Sequence, residues 1–200
     1  MTILITADPQ IPVPPRLYGG IERVIALLID GLVARGHTVA LVAHRDSRVP
    51  CDLVPYTTEG GSSRECAGQA ATIAWETFRR RPDVVQSFSR LASLLPILPW
   101  RVAKVMSYQR EISPRTVRWA SRLAAGSLSF TGCSRRLTLL VAHLTDWDVV
   151  HNAVPVDRFR FSADVPGDAP LVFLGRIEPI KGPHVAIEVA RRAEIGRAHV

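Results

Sequence analysis

The sequence predicts an α/β fold: a Rossmann-like parallel sheet with helices on both faces, followed by the first βα unit of a second Rossmann-like domain. Three observations carry this expectation. Apolar runs of strand length alternate with stretches of helical spacing, the pattern of βαβ units. The first run feeds a Pro-rich loop and two adjacent glycines that open a helix. A Pro- and Gly-punctuated segment, residues 158–170, then separates this alternation from a new strand and helix.

The elements follow in order. Residues 2–6 form an apolar first strand, and the prolines between Pro9 and Pro15 exclude helix and central strand from the next loop. Residues 21–35 read as a helix, because Ile21, Val24, Ile25, Leu28, Leu32 and Val33 recur at helical spacing. Gly36 ends it, where a left-handed residue is needed. Residues 38–43 are the second strand, which completes a right-handed βαβ unit. An edge strand is expected near 53–56 and a helix over 69–80. Pro82 then turns the chain into a buried strand reaching Phe88. Further strands are placed at 104–108 and 127–131, with a helix over 116–125 between them. Ser134 is a candidate N-cap for a helix reaching His143. Val149 and Val150 extend the pattern toward Asn152. In the second unit, residues 171–174 read as a strand, 175–182 as a loop, and 183–193 as a helix with Pro183 at its first position. The domains are therefore expected at 1–157 and 171–200, joined by the linker at 158–170. One strand and one helix cannot bury their apolar faces alone, so the second domain reads as truncated. Residues 195–200 break the helical character, resemble a translated sequencing-adapter peptide, and are assigned no function.

Composition narrows the function classes. Of the 200 residues, 47% are apolar and 22% charged, the balance of a globular protein. No window reaches the ~18 uninterrupted apolar residues of a membrane span, and the N-terminus lacks the basic region of a signal peptide. A cytoplasmic protein is expected, with peripheral contact at the inner face of the membrane left open. Three dispersed cysteines fit a reducing compartment and offer neither a disulfide frame nor a zinc site. Cys133, at an apolar strand end, reads as a buried structural thiol. The net charge of +7 admits nucleic acid or anionic partners. The arginines are dispersed without an interleaved aromatic platform, so no nucleic-acid partner is expected. His37, His44, His143, His151 and His184 form no pair at ligand or triad spacing and read as packing or surface groups.

Two constellations offer chemistry. Gly19 and Gly20 precede Ile21, Glu22 and Arg23 at the start of the first helix. There, glycines admit close backbone approach and free N–H groups face a phosphate. Read alone, the pair is equally a turn, and the G-x-G-x-x-G dinucleotide spacing is absent. In the second, Arg176 and Lys181 stand five residues apart on the loop after an apolar strand. A guanidinium fork and a point charge suit a pyrophosphate and stabilise a departing nucleoside diphosphate.

Together, Y-G-G-I-E-R-V, the G-H-T-V-A-L strand, H-N-A-V-P and L-G-R-I-E-P-I-K-G resemble glycosyltransferase family 4, of the GT-B fold, over the chain up to about Ala193. The resemblance implies that Gly19 and Gly20 face the donor pyrophosphate and that Arg176 and Lys181 bind the donor diphosphate. It also implies that Asn152 lies near the interdomain cleft. Sugar transfer from a nucleotide-sugar donor to a glycosyl acceptor (a glycolipid, polysaccharide or small molecule) is implied, with retention, no metal and no other cofactor. Glu22, Tyr108, Arg110 and Glu111 are cleft or acceptor candidates, and a surface ion pair is an equal reading of the last two. The chain departs from the family at Gln86 and Phe88, where histidines often stand, and at Ala153, which replaces Gly. The family's E-x(7)-E region does not occur in these 200 residues, which are therefore expected not to catalyse alone. The alternatives are a non-catalytic sugar-nucleotide-binding module and an NAD(P)-dependent Rossmann enzyme. The latter is disfavoured because the second strand ends in Ala43-His44-Arg45, with no carboxylate for a ribose.

Overall fold

The computed structural model describes residues 1–58, 60, 62–167 and 169–193, so residues 195–200 lie outside it. The chain divides into two compact units, Met1–Pro155 and the segment from Val156 onward.

The first unit is built on seven parallel strands: β1 (Thr2–Thr6), β2 (Thr38–Ala43), β3 (Asp52–Pro55), β4 (Val84–Ser87), β5 (Ala103–Tyr108), β6 (Leu128–Gly132) and β7 (Trp147–Val149). Their order across the sheet is β3-β2-β1-β4-β5-β6-β7. Chain order therefore runs outward to one side from β1 and then to the other from β4. The crossover helices are α1 (Gly20–Ala34), α2 (Ser63–Arg80), α3 (Pro114–Ala124) and the short α4 (Arg135–Leu139). Burial on both faces explains the near-continuous apolar runs of β1 and β2. Ile3, Ile5, Val39 and Leu41 pack with Ile25 and Ile29 of α1. Leu4, Val42, Val85, Met106 and Phe130 build the larger cluster with Ile73 of α2, Val117 and Ala120 of α3, and Val141.

Four local features of this unit differ from the sequence expectation. Helix α2 starts at Ser63 rather than 69, because Ser62 and Glu65 form a reciprocal capping box that a hydrophobic period does not reveal. Residues 91–97 form a 3-10 helix around Pro96, burying Leu94 and Ile97. The helix expected to reach His143 ends at Leu139; beyond it, Val141 N–H donates to Thr138 and Leu144 N–H to Val141 at i→i+3 spacing. That tighter winding seats Val141 fully in the core. Cys133 is half-buried rather than buried.

Lys104 breaks the apolar pattern of β5. Its side chain is 1% exposed, and its Nζ donates to Trp100 O (2.7 Å), Val102 O (2.8 Å) and Ser127 Oγ (2.8 Å). Three acceptors match the three donors of an ammonium group. This tie joins the loop before β5 to the turn before β6.

The second unit contains 3-10 turns at Val156–Arg158 and Pro179–Lys181 and the helix α5 (Pro183–Arg192). The helix expected at 183–193 is present. The strand expected at 171–174 is not: these residues carry no ladder, and Val172 and Leu174 are exposed. A strand forms only against a neighbour that accepts its hydrogen bonds.

Candidate functional site

A cleft of about 170 Å³ opens at the carboxyl edge of the sheet. Its walls come from the segments that leave three strands: Asp8 after β1, Phe88 to Leu91 after β4, and Met106 to Glu111 at the end of β5, with Ile21 from the first turn of α1. β1 and β4 are neighbours whose chain connections run in opposite directions. The two loops therefore splay apart and leave a crevice, the position where open α/β sheets bind ligands.

The strand ends that carry these walls are joined by buried polar side chains, of which Ser89 and Ser107 line the cleft. Thr6 Oγ1 donates to Ser87 Oγ at 2.8 Å, and Ser89 Oγ lies 2.9 Å from Ser87 Oγ and 3.2 Å from Thr6 Oγ1. Tyr56 donates its hydroxyl to Ala7 O at 3.2 Å. Burial holds the Tyr56 phenol above its usual range, helped by the charge of Asp8 and opposed by Ser89. On the next strands, Gln86 Nε2 donates to Ser107 Oγ (3.1 Å), which also accepts from Thr131 Oγ1 (3.0 Å). These hydroxyls satisfy one another, so the loops above them stand on a fixed base.

The glycine pair does two different jobs. Gly19 is the N-cap of α1, at φ 155° and ψ 81°. A Cβ there would lie 2.6 Å from Pro15 Cβ and 2.7 Å from Glu22 Oε2, so glycine is required by space as well as by dihedral. Gly20 is exposed, and a Cβ there would meet nothing within 4 Å. The second glycine is thus the one with open space above it.

Glu22 is 3% exposed and is not among the residues lining the cleft. Burial pushes its carboxyl up, its own backbone N–H draws it down, Asp8 raises it and Arg110 lowers it; the net is above the usual carboxylate range. It acts from beneath the Gly19 turn, as an acidic group in the first turn of α1. Tyr108 lines the cleft, but its ring is 9% exposed and packs against Phe130 (6.3 Å) and Trp147 (5.8 Å). Burial raises its phenol above the usual range, opposed by a hydrogen bond with Thr116. Arg110 and Glu111 are exposed at the rim, and no ion pair joins them among the described residues. Asn152 is exposed beyond β7 and does not line this cleft.

Asp8, Ser89 and Arg90 line the cleft and were not singled out from sequence. Their only signal is position, since each falls within three residues of a strand end. Which strand ends adjoin depends on sheet order, which sequence does not display. Gln86 and Phe88, at the histidine positions of the family pattern, have packing roles: Gln86 bonds Ser107, and Phe88 joins the α1-side core.

In the second unit, Arg176 and Lys181 lie on the loop before α5. Arg176 Nη1 pairs with Glu178 Oε1 at 2.7 Å, and Lys181 is exposed in the 3-10 turn that ends at Gly182, φ 72°.

Residues 18–158 match the family model described as Glycosyltransferase Family 4. The chain belongs to glycosyltransferase family 4. No curated protein matches this family-4 chain by sequence. Solved structures that share its fold include three glycosyltransferases. AviGT4, a glycosyltransferase involved in avilamycin A biosynthesis, is 24% identical with a TM-score of 0.58, covering 98% of this chain and 62% of that one. A glycosyltransferase from Rickettsia africae ESF-5 is 16% identical with a TM-score of 0.59, covering 100% of this chain and 50% of the other. Anabaena Alr3699/HepE, solved with UDP and glucose, is 15% identical with a TM-score of 0.59, covering 96% and 58% respectively. The family-4 chain thus spans 50–62% of the length of these structures.

Proposed function

We propose that this chain supplies the acceptor-side domain and the opening segment of the donor-binding domain of a glycosyltransferase. The enzyme takes a sugar from a nucleotide-sugar donor and transfers it, with retention and without a metal, to a hydroxyl acceptor. The observation that carries the reading is the crevice at the β1/β4 switch point beside the Gly19–Gly20 turn, in a chain of family 4. In this reading, the amide face at Gly20 approaches the donor pyrophosphate, Arg176 and Lys181 neutralise it, and Asp8, Arg110 and Glu111 meet acceptor hydroxyls. The domain boundary falls at the linker that begins beside Pro155, with 158–170 joining the two units. Catalysis belongs to the longer protein in which both domains close on the donor.

The test is a nucleoside-diphosphate titration of the 200-residue chain with UDP, GDP and ADP. It is paired with a nucleotide-sugar transfer assay on the product of the full native reading frame, with and without EDTA. Binding of one diphosphate, weakened at least tenfold by Arg176→Ala or Lys181→Ala, together with EDTA-resistant transfer, supports the reading. Diphosphate binding without transfer from any donor favours a non-catalytic sugar-nucleotide module, and binding of NAD(P) alone overturns the proposal.

A further inference from the structure

The amino edge of the sheet, opposite the crevice, carries a second surface that has no part in sugar transfer. An open depression of about 260 Å³ lies there. It is lined by Thr77, Phe78 and Arg81 at the end of α2, Pro82 ahead of β4, and Trp100 and Val102 ahead of β5. Phe78 is 61% exposed and Trp100 36%. Trp75, one turn earlier on α2, is 60% exposed, and its ring centroid lies 6.2 Å from that of Phe78. Three rings therefore share one solvent-facing surface.

Two buried or constrained groups hold this surface in shape. Lys104 directs two of its three Nζ donors to Trp100 O and Val102 O, and Ser127 Oγ donates to Trp100 O at 3.2 Å. The β5 wall of the depression is thus fixed through its backbone. On the α2 wall, Arg81 adopts φ 48° and ψ 56°, a left-handed conformation that favours glycine. Glycine would suit that turn better, but it would leave the depression without its cation.

The free polar side chains here are donors. Arg81, the adjacent exposed Arg101, and the indole N–H groups of Trp75 and Trp100 have no hydrogen-bond or ion-pair partner among the described residues. Thr77 already donates to Ile73 O, and the neighbouring carboxylates are engaged, Glu76 by Arg79 and Arg80 and Asp83 by the Thr2 N–H. An occupant must therefore bring acceptors to the donors and an apolar group to the rings. A second copy in two-fold pairing would set these cations against themselves. A nucleic-acid strand needs a longer run of cations to follow its backbone. A neutral glycan brings donors as well as acceptors. Carboxylates flanking an aromatic or leucine side chain meet both needs, and tryptophan and arginine are the residues that anchor protein interfaces. We propose that this edge docks an acidic polypeptide segment of a partner protein. Its aromatic or leucine side chain seats between Phe78 and Trp100, and its carboxylates pair with Arg81 and Arg101. The crevice and the donor reading are not involved, since β7 runs parallel to its neighbours and the chain leaves the first unit at the other edge.

The experiment selects a phage-displayed library of random twelve-residue peptides on the 200-residue chain, with counter-selection on its Phe78→Ala variant. The consensus peptide is then synthesised with a fluorescent label and titrated at about 0.1 M salt. The expected consensus sets an aromatic residue or leucine beside at least two aspartates or glutamates. Its affinity should fall at least tenfold in Arg81→Gly and in Trp100→Ala, and at least threefold in Arg101→Gln. Arg81→Gly relieves the left-handed turn, so its urea midpoint should be unchanged or raised and misfolding cannot account for the loss. The control Arg48→Gln removes the same charge from an exposed site elsewhere and should keep the affinity. The product of the full native reading frame should bind the peptide as the 200-residue chain does. A neutral or basic consensus, or equal loss in Arg48→Gln, overturns the proposal. So does binding that the full-length product lacks, which shows that the rest of the chain covers this edge. Self-association in sedimentation, or retention of RNA or dextran, that Phe78→Ala abolishes overturns it in favour of those occupants.

Discussion

Gly19 and Gly20 are adjacent and of one type, yet the structure predicts opposite consequences for replacing them. In Gly19→Ala the new methyl would stand 2.6 Å from Pro15 Cβ and 2.8 Å from Pro15 Cγ, a ring that cannot rotate away, and 2.7 Å from the Glu22 carboxylate. Overpacking of this kind costs about 1–3 kcal/mol. Holding a non-glycine residue at φ 155° costs roughly another 1–3 kcal/mol. The sum, about 2–6 kcal/mol, is a large share of the roughly 5–15 kcal/mol typical of a domain. In Gly20→Ala the methyl enters open space at the first helical position, where alanine gains about 0.5–1 kcal/mol over glycine. Urea unfolding therefore should show a lowered midpoint for Gly19→Ala and an unchanged or raised one for Gly20→Ala. A diphosphate titration should show the reverse emphasis, with Gly20→Ala folded but binding at least fivefold more weakly. Equal stability of Gly19→Ala and wild type would refute the packing argument. Unaltered binding in Gly20→Ala would refute the assignment of its open face to the donor.

Other expectations follow from buried charge. Lys104 is pushed down to about 8 by burial, against 10.5 when unfolded. Between those values the unfolded chain binds more protons, so this group makes stability rise with pH from about 8 and plateau above 10.5, by at most about 3 kcal/mol. Because burial lifts Cys51 to about 11, its thiol opposes that rise above pH 9. The clean window is pH 8–9, and Lys104→Met should lose the positive slope there in thermal-melt series. Burial alone would raise the Glu76 carboxyl, but hydrogen bonds and charge from Arg79 and Arg80 hold it below its usual range. Its contribution is complete above the unfolded value of 4.5 and is lost as pH falls through the depressed folded value. Glu76→Gln should cost about 1.5–3 kcal/mol at pH 7 and flatten the acid limb of a stability–pH curve. At the cleft rim, Arg110→Ala should raise the acceptor KM of the full-length enzyme about tenfold with the donor KM unchanged. Equal effects on both would move Arg110 out of the acceptor site.

How much was legible in advance differs by element. β1, α1 and β2 declare themselves because consecutive residues carry the signal: apolar runs for strands, the 3.6-residue spacing from Ile21 to Val33 for the helix, and Gly36 at φ 79° for its end. The places of Gly19, Gly20, Arg176 and Lys181 beside a helix start were legible for a similar reason, since local spacing sets them. The early start of α2 was written in Ser62 and Glu65, a signal in capping rather than hydrophobicity.

Other features needed the whole fold. Lys104 gives no sign in the sequence of being buried, because its three acceptors come from residues 100, 102 and 127. Tyr108 stood out as a polar group at a strand end, but Phe130 of β6 and Trp147 of β7, the next two strands across the sheet, draw its ring into the core. Residues 171–174 have the composition of a strand, yet they have no ladder, because composition supplies the propensity and a neighbouring strand supplies the hydrogen bonds. The crevice is the clearest case. The sequence by itself determined that strands alternate with helices and that polar groups follow the strand ends. Only the tertiary structure decided that β1 lies beside β4, so that Asp8, Ser89 and Arg110 line one cleft. Strand pairing is a contact between residues about eighty positions apart, chosen by burial on both faces of the sheet, and a local pattern has no means of recording it.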